Sequence, residues 1–99
     1  MRYLIGIDIG TSATKTILMD EEGNVAAQAV RDYPLYQPDN GWAEQAPEDW
    51  QQAALETLKQ VVEQSGVNRG DIQGIGLSGQ MHGLVMLDEA GNPIRRSII

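Results

Sequence analysis

The chain has 99 residues, a formal net charge of −7 and no cysteine. That length suits one domain with a usable core, and the scattered Lys and Arg exclude nucleic acid or an anionic membrane surface as a partner. The lack of cysteine excludes disulfides and a thiolate zinc site, and the apolar N-terminal stretch is cut by Asp8, so it reads as neither signal peptide nor membrane span; a cytoplasmic location is expected.

Tyr3 to Ile9 reads as a first strand, since β-branched Ile5, Ile7 and Ile9 suit a pleated, buried surface. Ala13 to Met19 is a second strand, placed to pair antiparallel across a Gly-Thr-Ser turn, and Val25 to Arg31 is a third after the turn cluster 20–24. From Tyr33 to Ala46 the chain is irregular, a length of loop that is often functional. A helix starts at Pro47, with Glu48 and Asp49 in its first turn, and ends at Ser65-Gly66. Trp50, Ala54, Leu58, Val61 and Val62 give it one apolar face, with Trp50 in the core and Trp42 packed over the helix start in preference to stacking on a ligand. Ile72 to Ser78 is a fourth strand, expected parallel to the first, and Leu84 to Leu87 a fifth. Asp20-Glu21-Glu22-Gly23-Asn24 and Asp88-Glu89-Ala90-Gly91-Asn92 share turn chemistry and do not mark a duplication. The apolar ending Ile98-Ile99 looks like a strand cut in its middle, so the chain reads as a fragment.

Chemistry concentrates in two places. Asp8 lies in an apolar run, where a buried carboxylate is costly unless a cation compensates it. Gly10, Thr11 and Ser12 follow, small residues whose N–H groups can approach a phosphate, and then Lys15. This is neither a Walker A loop nor a dinucleotide fingerprint. It fits a hairpin phosphate cradle in which Asp8 holds Mg²⁺ directly or through water. The plainer alternative is a hairpin with Asp8 exposed at a strand end, and Lys15 has two readings, a charge for the phosphate or a solvent-facing side chain. The second place is the run Ser78-Gly79-Gln80-Met81-His82-Gly83, at the carboxyl end of a parallel strand, where ligands of open α/β sheets bind. Gln80 and His82 can exchange hydrogen bonds with hydroxyls, and Met81 offers an apolar surface for a sugar's C–H face. The ordinary alternatives are a satisfied loop histidine and a core methionine.

The run Ile5-Gly6-Ile7-Asp8-Ile9-Gly10-Thr11-Ser12 with Lys15 resembles the first phosphate motif of the actin/hexokinase/heat-shock ATPase superfamily. With Gly41-Trp42-Ala43-Glu44-Gln45-Ala46-Pro47-Glu48-Asp49-Trp50, Gly74-Ile75-Gly76-Leu77-Ser78-Gly79-Gln80-Met81-His82-Gly83 and Leu87-Asp88-Glu89, the whole chain resembles the FGGY carbohydrate kinases, most closely their xylulose-phosphorylating members. The resemblance implies an RNase H-like (actin-like) α/β fold, a mixed sheet in the order third-second-first-fourth strand with one packed helix, and residues 1–99 as the N-terminal part of the first kinase domain. It implies ATP and Mg²⁺ as cofactors, and a small sugar, D-xylulose phosphorylated at its 5-hydroxyl, as substrate. Asp8 would be the metal-linked catalytic carboxylate, Gly10, Thr11, Ser12 and Lys15 would face ATP phosphates, and Gln80, Met81 and His82 the sugar. The general base and second lobe would lie beyond Ile99, leaving this segment inactive alone, and a homodimer of the full protein is compatible. Ala46 departs from the family's Asp or Asn at that cap, at a cost of about 1 kcal/mol of helix stability. Gluconate or another polyol is the alternative substrate. A nucleotide-dependent actin-like interaction module is the alternative class, disfavoured by Gln80-Met81-His82.

Overall fold

The alternation of Ile5, Ile7 and Ile9 with Leu4, Gly6 and Asp8 makes a strand with two unlike faces, because successive side chains point to opposite sides. The computed structural model, which describes residues 1–81 and 83–99, builds from it a four-stranded sheet: β1 (Tyr3–Ile9), β2 (Ala13–Asp20), β3 (Val25–Asp32) and β5 (Ile72–Gly79) in the order β3-β2-β1-β5. β1–β2 and β2–β3 are antiparallel and β1–β5 is parallel. The expected topology holds, with β2, β3 and β5 each one residue longer than the sequence suggests.

Helix α1 (Pro47–Ser65) starts without a side-chain cap at Ala46 and ends at Gly66 in the left-handed region, at φ 66°. It lies over β2 and β3. Ile5, Ile7, Leu18, Ala29 and Val61 form the buried core, with Ala54, Leu58 and Val62 packed beside it. The most buried stripe of α1 is Ala53, Thr57 and Val61, not the Trp50 side. Trp50 is half-buried and outside the core cluster, a correction to the sequence reading. Its indole N–H needs a polar partner, and that partner lies at the edge of the sheet.

Two buried threonines tie α1 to β2. The Thr57 hydroxyl donates to the Ala53 carbonyl at 2.8 Å and so accepts from Thr16, 2.7 Å away. Thr57→Val keeps the shape but strands the Thr16 hydroxyl in the core, and is expected to cost about 1–3 kcal/mol. Adding Thr16→Val removes the stranded group, so the double variant should lose less than the two single losses summed. Thermal unfolding of the four proteins checks this; additive losses would mean the pair is not coupled.

The stretch after β3 is more ordered than expected. Glu44–Gln45 forms β4, which pairs antiparallel with β6 (Ser97–Ile98), and Tyr36 bridges Glu44. Glu44 is buried; it forms an ion pair with Arg95 and stands 3.8 Å from Arg96, whose guanidinium lies 3.9 Å over the Tyr36 ring. This clamp holds the C-terminal segment against β4. The expected strand Leu84 to Leu87 does not form: Leu84 and Leu87 make single bridges to Ile98 and Pro93, and their side chains stay exposed with no layer over them. Trp42 does not pack over the start of α1; it is 53% exposed and lies beside Arg95, Ile98 and Ile99.

The two Asp-x-x-Gly-Asn turns are built alike. Asp20 Oδ1 accepts from the N–H groups of Glu22 and Asn24, and Asp88 Oδ1 from those of Ala90 and Asn92, all at 2.9 Å. Gly23 and Gly91 take φ of 88° and 86°, a region that side chains disfavour. Among the described residues no helix is long and apolar enough to cross a membrane.

Candidate functional site

Because β1 and β5 are parallel, their carboxyl ends lie side by side, with Ile9 opposite Gly79. The Gln80 N–H carries the ladder one step further, donating to the Ile9 carbonyl at 2.9 Å. The turn 10–12 and the loop after Gly79, far apart in sequence, therefore leave the sheet together.

The turn is fixed by its carbonyls. Gly10 N–H donates to the Ala13 carbonyl at 2.9 Å, closing the hairpin. The Gly10 carbonyl accepts from the Tyr33 hydroxyl, the Thr11 carbonyl from Gln45 Nε2, and the Ser12 carbonyl from the Tyr33 N–H at 3.3 Å. With the acceptors taken, the Thr11 and Ser12 N–H groups donate to nothing among the described residues. Consecutive unpaired donors on a tight turn suit an anion. Gly10 is needed there on steric grounds, since a Cβ would stand 3.0 Å from the Ala13 carbonyl oxygen. Burial raises the Tyr33 hydroxyl above its usual pKa, against a lowering by its Thr14 hydrogen bond, and the nearby Asp8 charge adds to the rise.

Asp8 is not buried. It is exposed on the sheet face that α1 leaves uncovered, so the desolvation argument made for it does not apply. One carboxylate oxygen accepts from the Ser78 hydroxyl at 2.7 Å. Lys15 is its register partner across the β1–β2 ladder and so shares its face. Gly6 and Gly76, opposite one another, leave a floor without side chains. Above it is a concavity of about 490 Å³ lined by Gly6, Asp8, Lys15, Ile17, Gly76 and Ser78. The donor set is hard oxygen: one carboxylate with a hydroxyl beside it. Among the described residues no three His, Cys, Asp or Glu cluster for a metal. A single carboxylate fits Mg²⁺, which is held by one or two carboxylates with substrate phosphates and water.

At the loop, Gln80 is half-buried and Met81 is 77% exposed; His82 lies outside the described residues. The Gln80 amide donates to Gln45 Oε1 at 2.8 Å and accepts from the Thr11 hydroxyl at 3.4 Å, which leaves one N–H and one lone pair. Asp8, Gly10, Thr11, Ser12, Lys15, Gln80 and Met81 are thus gathered at one end of the sheet. Sequence reasoning placed Ser78 in the second run without a role and gave none to Tyr33 or Gln45. The register of a parallel β1–β5 pair points to Ser78, whereas Tyr33 and Gln45 sit in a stretch with no periodic signal.

The model of the FGGY family of carbohydrate kinases, N-terminal domain, matches residues 3–99. The xylulose kinase of Bacillus subtilis (strain 168) is 50% identical over 99 residues, taking in 100% of this chain and 20% of that protein. The crystal structure of xylulose kinase from Rhodospirillum rubrum superposes with a TM-score of 0.89 at 34% identity, covering 98% of this chain and 20% of the other. That of gluconate kinase from Lactobacillus acidophilus gives a TM-score of 0.89 at 35% identity over 98% of this chain and 19% of its own. The chain thus spans about 20% of the length of these relatives. The sheet order is that of the RNase H-like, actin-like class, and with the match over residues 3–99 the chain belongs to the FGGY family of carbohydrate kinases.

Proposed function

We propose that this chain is the N-terminal part of the first domain of a cytoplasmic, ATP-dependent kinase that phosphorylates D-xylulose at its 5-hydroxyl. The observation that supports it is the β1–β5 pairing, with the Thr11 and Ser12 N–H groups, unpaired among the described residues, beside the loop that follows Gly79. Thr11 and Ser12 N–H groups bind phosphate oxygens, with Lys15 adding charge from the same face as Asp8. Asp8 would hold Mg²⁺, directly or through water, and the ion supplies positive charge to the phosphates when bound. Met81 and His82 meet the sugar, with the spare hydrogen-bonding capacity of Gln80. Phosphoryl transfer depends on positioning and charge, so this half of the site acts once a second lobe supplies the general base.

The 50% identity to a xylulose kinase supports the sugar. Gluconate is the second reading, because the gluconate kinase superposes as closely as the xylulose kinase does. The test is ATP consumption by the full-length protein with D-xylulose, gluconate and glycerol in turn. D-xylulose should lead in kcat/KM by roughly 10-fold or more, the scale on which a pocket separates related ligands. A lead for gluconate moves the assignment to that acid, and no stimulation by any sugar removes the kinase reading.

A further inference from the structure

Gln45 is fully buried at 0% exposure, and its carboxamide joins four segments of the chain. Nε2 donates to the Thr11 carbonyl in the phosphate turn. Oε1 accepts from Gln80 Nε2 at 2.8 Å, in the loop after β5, and from the Trp50 indole at 3.0 Å, in the first turn of α1. An indole N–H can only donate, which fixes which end of the amide is oxygen. The Thr11 hydroxyl reaches Gln80 Oε1 at 3.4 Å, so the bonds close a ring from Thr11 through Gln45 and Gln80 back to Thr11. Gln45 Nε2, Gln80 Nε2 and the Thr11 hydroxyl each donate one bond within the ring, and a buried polar network tied in this way rigidifies its surroundings. Gln45 itself has no exposed surface to offer a ligand.

We infer that Gln45 is a positioning residue for phosphoryl transfer, holding the phosphate turn and the sugar loop at one fixed spacing. The inference rests on the kinase reading above. Replacing Gln45 with leucine keeps most of the volume but leaves Gln80 Nε2, the Trp50 indole and the Thr11 carbonyl without partners. Reacting groups then drift relative to one another while each half-site keeps its own contacts. This predicts a loss in kcat and a smaller one in KM, since misplacement on the order of 1 Å is costly to rate.

The test has two arms, both on the full-length protein. The first is hydrogen exchange without ligand. In Gln45→Leu the hydrogen-bonded amides of Gly10 in the turn and Gln80 in the loop should exchange roughly 10-fold faster or more, the size expected for losing buried hydrogen bonds, while Ile5 and Leu18 stay protected. Gln45→Glu keeps the oxygen that serves Gln80 and Trp50 but, when ionised, gives the Thr11 carbonyl no proton, so it should loosen the turn and spare the loop. Uniform acceleration across β1 and β2, or acceleration only around residues 45–50, would overturn the inference. The second arm is kinetics: Gln45→Leu should lower kcat by roughly 10- to 100-fold per active enzyme, with either KM moved less than about 3-fold. Unchanged kcat with faster exchange also overturns it. If the unmodified protein phosphorylates no sugar, the kinase reading falls, and the exchange arm still decides whether Gln45 sets the spacing.

Discussion

In the full-length protein, Asp8→Asn is expected to cut turnover by about 100-fold or more while leaving the fold intact. The two halves of that expectation come from separate observations. Asp8 is exposed on the face of the sheet that α1 does not cover, and its one side-chain bond among the described residues is accepted from Ser78 at 2.7 Å. An asparagine Oδ1 accepts that bond equally well, so the thermal midpoint should stay close to that of the unmodified protein. What the substitution removes is the negative charge, together with the free carboxylate oxygen facing the concavity shared with Lys15. If Asp8 carries Mg²⁺ to the phosphates, charge stabilisation in transfer is lost and sugar KM moves little. Asp8→Glu, with charge retained but displaced, should fall between the two. Turnover within a few-fold of normal in Asp8→Asn would show that the carboxylate has no part in the reaction.

The placement of Asp8 shows how far the sequence could be read. Its position one step out of phase with Ile5, Ile7 and Ile9 put it on the opposite face from the core, and that alternation is plain in the residues. The error lay in treating the whole apolar run as buried, whereas one helix lies over β2 and β3 and leaves Asp8 exposed on the other face, nearer the plainer alternative. The four long strands, the helix and their order were legible because each repeats its pattern over seven or more residues. β4 and β6 were not, since a two-residue strand has no period and each is defined only by its distant partner. The same holds for Glu44 and Gln45: one is held by Arg95 and the other bridges turn, loop and helix, pairings that no local pattern announces. Trp50 was misread because an apolar position on a helical stripe does not show that its indole N–H has a partner at the rim. The gathering of turn and loop at one edge followed from a single inference, that the strand after α1 runs parallel to β1.

That gathering makes Gly10 the second residue where a small change should have a large effect. Its φ lies outside the left-handed region, so alanine is allowed there on backbone grounds. The obstacle is space: a Cβ would stand 3.0 Å from the Ala13 carbonyl oxygen, the same atom that accepts the Gly10 N–H at 2.9 Å. A backbone oxygen cannot swing aside as a side chain can, so the turn itself must shift by a few tenths of an ångström. The shift moves the Thr11 and Ser12 N–H groups, whose aim is set by carbonyls held from behind by Tyr33 and Gln45. If the turn binds ATP phosphates as proposed, Gly10→Ala in the full-length protein is expected to weaken ATP use by roughly 10- to 100-fold in kcat/KM, because its donors are misdirected. Gly79→Ala is the control at the same edge: its added Cβ would lie 3.6 Å from the Ile9 carbonyl, an ordinary contact, and activity should stay near normal. If the two variants lose activity equally, the loss is general to that edge of the sheet, and the close approach at Gly10 is not what aims the turn.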